Sequence, residues 1–133
     1  PESVTVTFEK GRPVAFNGKK TTAFQAIQAA NAVGGKHGVG IATHLVENRF
    51  VGIKSRGVYE APGMELIGTA YAYLLQLVLD RRGRELFDQL SLFVAKQIYQ
   101  GYGFDLATHV ARSALAPITA LATGTITLKL YKG

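Results

Sequence analysis

The stretch Val4-Thr5-Val6-Thr7-Phe8-Glu9 decides the fold. Val4, Val6 and Phe8 fall on one face and Thr5, Thr7 and Glu9 on the other, the period-two alternation of a strand with one side buried. The segment Thr125 to Tyr131 alternates in the same way, with Ile126, Leu128 and Leu130 pointing together. Two half-buried strands near the two ends of the chain predict an antiparallel pair that closes the domain on itself. Next to the first strand, Lys10 to Pro13 reads as a turn, Val14 to Phe16 as a short returning strand, and Asn17-Gly18 as the following turn.

The interior reads as helices around a less regular middle. Thr22 is placed as an N-cap, with Gln25 three residues on completing a capping box. Ala23, Ala26, Ile27, Ala30 and Val33 form an apolar stripe, and Gly34 is the expected stop. Ile41 to Ile53 is expected to be extended in two pieces, and Lys54 to Gly63 to be polar and rich in turns. Met64 to Leu79 is apolar nearly all round with Glu65 as its single charge. A helix of that kind is buried between layers or at a contact between copies, which predicts self-association. Arg84 to Gln100 is amphipathic, with Leu86, Leu90, Phe93, Val94 and Ile98 on one side. Asp105 can cap a last helix carrying Leu106, Val110, Ala114 and Leu115, which Pro117 should kink or end. The expected class is α+β: one domain over residues 1–133, a small antiparallel sheet with several helices packed on it.

Composition narrows the function. Of the 133 residues, 47% are hydrophobic and 18% charged, an apolar balance that suits a domain meeting other domains or subunits. A start at Pro1 and a stop at Gly133, just after a strand, are expected of a piece of something longer. Without cysteine, neither a disulfide nor a thiolate metal site can hold the chain. No signal-peptide pattern is present, and the most apolar run is short and interrupted by Glu65, Thr69 and Gln76, so a cytoplasmic protein with no membrane partner is expected. The formal charge of +6 is spread over Lys19, Lys20, Lys54, Arg56, Arg81, Arg82 and Arg84, among others. It lacks the clustering of a nucleic-acid footprint, and no nucleic-acid partner is expected.

The glycine-dense loop Gly34 to Gly40 has neither a Walker lysine and hydroxyl nor a dinucleotide fingerprint, and it follows a helix rather than a strand. Turn formation and close backbone approach account for it. His37, His44 and His109 are not spaced as metal ligands, and Ser55, Ser91 and Ser113 have no evident base. No catalytic residue and no metal ligand is assigned.

One segment carries more. In Glu47-Asn48-Arg49-Phe50-Val51-Gly52-Ile53-Lys54-Ser55-Arg56-Gly57-Val58-Tyr59-Glu60-Ala61-Pro62, charged and phenolic groups flank a four-residue apolar strand. A solvated ion-pair surface would have a similar composition. The same order also lets polar groups at both ends of the strand converge on one small zwitterion at a sheet rim. Glu47 could accept from an ammonium, and Tyr59 could donate to a carboxylate or carbonyl.

The run Glu-Asn-Arg-Phe-x-x-x-Lys-Ser-Arg-Gly-Val-Tyr-Glu-x-Pro resembles the signature of argininosuccinate synthases. Upstream, Gly-Gly-Lys-His-Gly-Val-Gly and the Asn17-Gly18 turn are similar to that family as well, and so is Leu128 to Gly133 downstream. The resemblance implies a ligase of arginine biosynthesis. In that family's reaction the citrulline ureido oxygen attacks the α-phosphate of ATP to give citrullyl-AMP and pyrophosphate, and the aspartate amine then displaces AMP. It implies citrulline-binding roles for Glu47 and Tyr59, ATP with magnesium as co-substrate, and a homotetramer. The family's Ser-Gly-Gly-x-Asp-Thr-Ser loop for ATP and its aspartate-binding segment do not occur in these 133 residues. The chain alone is therefore expected to be catalytically incomplete, with ATP and aspartate held by another part. The sequence departs from the family where Thr43 and His44 replace a usual aspartate. A stand-alone oligomerising domain that binds an amino acid without ATP chemistry is the alternative.

Overall fold

The computed structural model describes the backbone of residues 1–47 and 54–132, and the side chains of 1–41 and 60–132. Strand β1 (Glu2–Glu9) is followed by β2 (Arg12–Phe16), β3 (Lys19–Lys20), helix α1 (Ala23–Lys36), β4 (Ile41–Glu47) and β5 (Lys54–Glu60). Helices α2 (Pro62–Val78), α3 (Arg81–Tyr99) and α4 (Leu106–Thr119) come next, and β6 (Gly124–Leu130) ends the fold. Four strands form an antiparallel sheet in the order β3-β2-β1-β6, and β4 pairs with β5 in a second, two-stranded sheet. The class is α+β, with β1 and β6, the two ends of the chain, side by side from Glu2↔Leu130 to Phe8↔Gly124.

Local chemistry sets the sheet. Lys10 and Gly11 both take positive φ, as do Asn17 and Gly18, the requirement of tight two-residue hairpin turns. Between Thr7↔Ala15 and Phe8↔Pro13 the register slips by one residue. This bulge accommodates Pro13, which has no N–H to give to a ladder. Val4, Val6, Phe8, Phe16, Ile126 and Leu130 are buried on one face. On the other, Thr5 meets Thr127 at 3.2 Å and Thr7 meets Thr125 at 3.0 Å between hydroxyl oxygens, cross-strand pairs that suit a wet surface.

Helices α1 and α2 cover the buried face. Ala26 and Ala30 of α1 pack with Leu66, Ile67, Ala70, Leu74 and Leu75 of α2. Burying a side chain the size of Phe8, Leu66 or Leu75 is worth about 1.5–3 kcal/mol each. The capping box is present: Gln25 N donates to Thr22 Oγ1 and Thr22 N to Gln25 Oε1.

Several boundaries differ from the expectation, each for a physical reason. Helix α1 runs past Gly34 to Lys36. The residue that turns the chain is Gly38 (φ +70°), where Gly38 N donates to Gly35 O and Val39 N to Gly34 O, the double bond of a Schellman stop. Helix α2 opens at Pro62, where the missing N–H costs nothing. Its apolar residues divide between two sides: Leu66, Ile67, Ala70, Leu74 and Leu75 are core, while Met64, Tyr73 and Leu77 are exposed. Helix α3 begins at Arg81 because Asp80 caps it, accepting from Gly83 N at 2.8 Å. In α4 the Asp105 cap is as expected, and the helix continues two residues past Pro117 to Thr119, because a proline in the last turn removes only one bond. Lys54 to Glu60, expected as turns, is a strand, since pairing with β4 satisfies its backbone. The apolar strand expected at Phe50 to Ile53 lies outside the described residues.

Candidate functional site

The segment singled out by its charged and phenolic residues is the β4–β5 hairpin. Its register runs from Ile41↔Glu60 at the root to Glu47↔Lys54 at the far end. The root is held tightly. Ala61 N donates to Gly40 O at 2.9 Å, and Gly40 has φ +78° with space for no Cβ: one built there would lie 2.7 Å from Ala61 O and from Pro62 Cα. The start of α2 is equally close to α1. Gly63 N donates to Asn31 Oδ1 at 2.8 Å, and a Cβ on Gly63 would approach Ile27 O to 2.7 Å. The Gly34 to Gly40 run is thus used for turning and close approach, as expected, with Gly34 against Pro62.

The hairpin also roots beside the first strand. His37 Nε2–H donates to Glu2 Oε1 at 2.9 Å, and Lys36 Nζ reaches the same oxygen at 3.3 Å. The hydrogen bond from His37, and then the bond and charge of Lys36, hold the Glu2 carboxyl below its ordinary pKa. The three side chains fasten the end of α1, and with it the hairpin root, to the end of the sheet where β1 begins. His37 has a structural partner, which sequence spacing alone does not reveal.

Tyr59 pairs with Ala42, one step from the root, and Glu47 pairs with Lys54 at the opposite end. Five register steps separate them, roughly 17 Å of strand at the usual rise per residue. The pairing register sets the backbone positions of the two. It spaces them along the length of one ribbon. The side chains of both lie outside the described residues.

Among the described residues no three of His, Asp and Glu stand together as metal ligands, and none of the described helices is long and apolar enough to cross a membrane. Several basic residues are engaged locally: Arg81 with Glu85 at 3.6 Å, Arg84 with Asp88 at 3.0 Å. Lys19 and Lys20 lie on the short edge strand β3, where lysine discourages further strand pairing.

A second polar cluster, which sequence reasoning missed, fixes the turn between α3 and α4. The Thr108 side chain is fully buried. Its hydroxyl donates to Tyr102 O at 2.8 Å, and Gln97 Nε2 donates to Asp105 Oδ1 and Oδ2 at 3.1 Å and lies 3.3 Å from Thr108 Oγ1. The signal available in the sequence was Asp105-x-x-Thr108, read only as a cap.

Residues 1–133 match the family described as Arginosuccinate synthase C-terminal domain. The chain belongs to that family. It is 41% identical over its whole length to argininosuccinate synthase of Rhodopirellula baltica and covers 33% of that relative. It is 43% identical to the chloroplastic argininosuccinate synthase of Arabidopsis thaliana, covering 27%, and 43% identical to that of Novosphingobium aromaticivorans, covering 33%. The chain thus spans 27% to 33% of the length of these relatives of the argininosuccinate synthase family.

Proposed function

We propose that this chain is the citrulline-binding and self-associating part of an argininosuccinate synthase, which condenses citrulline and aspartate with ATP in arginine biosynthesis. One observation carries the reading: a family match over all 133 residues that includes the Glu47 to Pro62 signature. The residues present do not fit ATP and magnesium, since the sequence has no phosphate loop and the described residues no cluster of metal ligands. We assign both, together with aspartate, to a part of the protein outside this domain. Glu2, Leu130 and the root of the β4–β5 hairpin share one end of the sheet. The homotetramer and the cytoplasmic location stay proposals of the family resemblance; the Arabidopsis relative is a chloroplastic form.

Citrulline is an elongated zwitterion with an ammonium and carboxylate at one end and a ureido group at the other. In this reading, which rests on the family match, Glu47 accepts from the citrulline ammonium and Tyr59 donates to its carboxylate or carbonyl. A charge-assisted bond to the ammonium is worth about 1.5–3 kcal/mol. In the whole enzyme Glu47→Gln should raise the citrulline KM by roughly ten-fold or more at little change in the KM for ATP. Tyr59→Phe should raise it less, by the loss of one bond of about 0.5–1.5 kcal/mol. Steady-state kinetics with a parallel thermal midpoint decides: an intact citrulline KM in both variants, with lower stability, removes these residues from the site.

A further inference from the structure

His37 closes α1 as its C-cap, its backbone N–H donating to Gly34 O at 3.1 Å, and it stands just ahead of Ile41, the first residue of β4. Its side chain is 15% exposed and that of Glu2 37%, so the Nε2–Oε1 bond of 2.9 Å between them is sheltered. A ring N–H donating to a carboxylate makes a shorter and stronger bond than a neutral pair does. Lys36 Nζ reaches the same oxygen at 3.3 Å, but its side chain is 70% exposed, and an ion pair so open to water contributes little by itself.

The β4–β5 ribbon is a two-stranded sheet of its own, joined to the body through its root. Its direction is set by the fastenings there. Ala61 N donating to Gly40 O closes the ribbon on itself. On the β5 side, Pro62 lies against Gly34 and Gly63 N donates to Asn31 Oδ1, which ties the ribbon to α1. On the β4 side, Val39 is buried in the core, a contact without preferred direction. These hold the root to the layer of α1 and α2 and leave the ribbon a tilt about the line that joins them. The His37–Glu2 bond reaches off that layer to the four-stranded sheet, at the Glu2↔Leu130 pair, and opposes the tilt. The lever is long. Glu47 lies six register steps from Ile41, about 20 Å at the usual rise, where a tilt of about 3° moves a backbone position by about 1 Å. Tyr59, one step from the root, moves several times less.

We propose that His37 and Glu2 are positioning residues for citrulline: their bond fixes the tilt of the β4–β5 ribbon and thereby the place of Glu47. The inference rests on the citrulline-binding reading of Glu47 and Tyr59, and it adds two residues that touch no substrate. A single charge-assisted bond to an ammonium weakens as its partner shifts, and a misplacement of about 1 Å is enough to cost up to a hundred-fold where geometry is strict. ATP is assigned to another part of the protein, away from this lever, so its KM should not follow.

The test is steady-state kinetics of the whole enzyme, with a thermal midpoint for each variant. His37→Ala and Glu2→Ala should each raise the citrulline KM by about five-fold, less than Glu47→Gln because misplacing a bond costs less than deleting it. The KM for ATP should stay within about two-fold of the parent's. The double variant should be no worse than either single one, since both break the same bond. His37→Gln keeps an N–H donor of similar reach and should restore most of the parent's citrulline KM. Thr108→Ala, which opens a buried hydrogen bond at the turn of α3 and α4, controls for lost stability and should lower the midpoint at the parent's citrulline KM. An unchanged citrulline KM in both alanine variants, with only their midpoints lowered, overturns the proposal. So does a His37→Gln variant as impaired as His37→Ala, or an equal rise in Thr108→Ala. Should His37→Ala fail to fold, Glu2→Ala, at a half-buried strand start, decides alone. An unchanged KM in Glu47→Gln overturns the citrulline site and this inference with it, whereas a raised one beside unchanged His37 and Glu2 variants overturns this inference alone.

Discussion

Gly40 and Gly38 lie two residues apart in one loop and meet different constraints. Both have positive φ, +78° and +70°, a conformation that costs an ordinary residue about 1–2 kcal/mol. A Cβ on Gly38 would meet nothing within 4 Å, whereas one on Gly40 would press on the backbone of Ala61 and Pro62 at 2.7 Å. Gly38→Ala should therefore cost only the conformational term, and Gly40→Ala clearly more, because neither backbone atom can yield without moving the hairpin root. Urea denaturation of the two variants measures this, and equal losses would show that the close approach at Gly40 is soft. A glycine run is visible in any sequence. Which glycine turns, which permits contact and which merely lies in a helix depends on what comes within reach of each.

At the scale of elements, β1 and the end of α1 are joined by the Glu2–His37–Lys36 contact. The Glu2 carboxyl has its pKa lowered in the fold, mainly by the hydrogen bond from His37 and next by Lys36. A lowered carboxylate contributes stability that is complete above its unfolded value of about 4.5 and is lost as pH falls through the lower folded value. Glu2→Gln should leave a thermal midpoint that falls less steeply than the parent's below that point, with the two curves separated at neutral pH. Parallel acid limbs would show that the contact does not couple to protonation. The elements themselves followed from local signals where those signals were complete: the alternation of β1 and β6, the Thr22–Gln25 box, the Asp105 cap. Misplaced boundaries came from signals that need a partner. The stop of α1 is a pair of backbone bonds around Gly38, and β5 becomes a strand because β4 pairs with it.

At the scale of the whole molecule, the chain carries one candidate substrate hairpin and no phosphate-binding loop in its sequence. Transfer to the α-phosphate of ATP depends on holding the ureido oxygen in line with it, and positioning supplies most of such catalysis. The isolated 133-residue chain should release no AMP from ATP in the presence of citrulline and aspartate, and a radiolabelled assay giving AMP that depends on both would refute the assignment of ATP to another part. The sequence by itself determined the α+β class, the closure of the sheet by the two chain ends, and the family, because alternation, capping and a long unbroken signature are all written in neighbouring residues. Only the tertiary structure decided that Glu47 and Tyr59 are spaced along a ribbon, that His37 serves as a latch, and that α2 turns one side into the core while α3 buries none of its residues. Those facts depend on pairing register and on which faces meet across long stretches of chain, and burial is a property of the neighbours a residue acquires rather than of the residue.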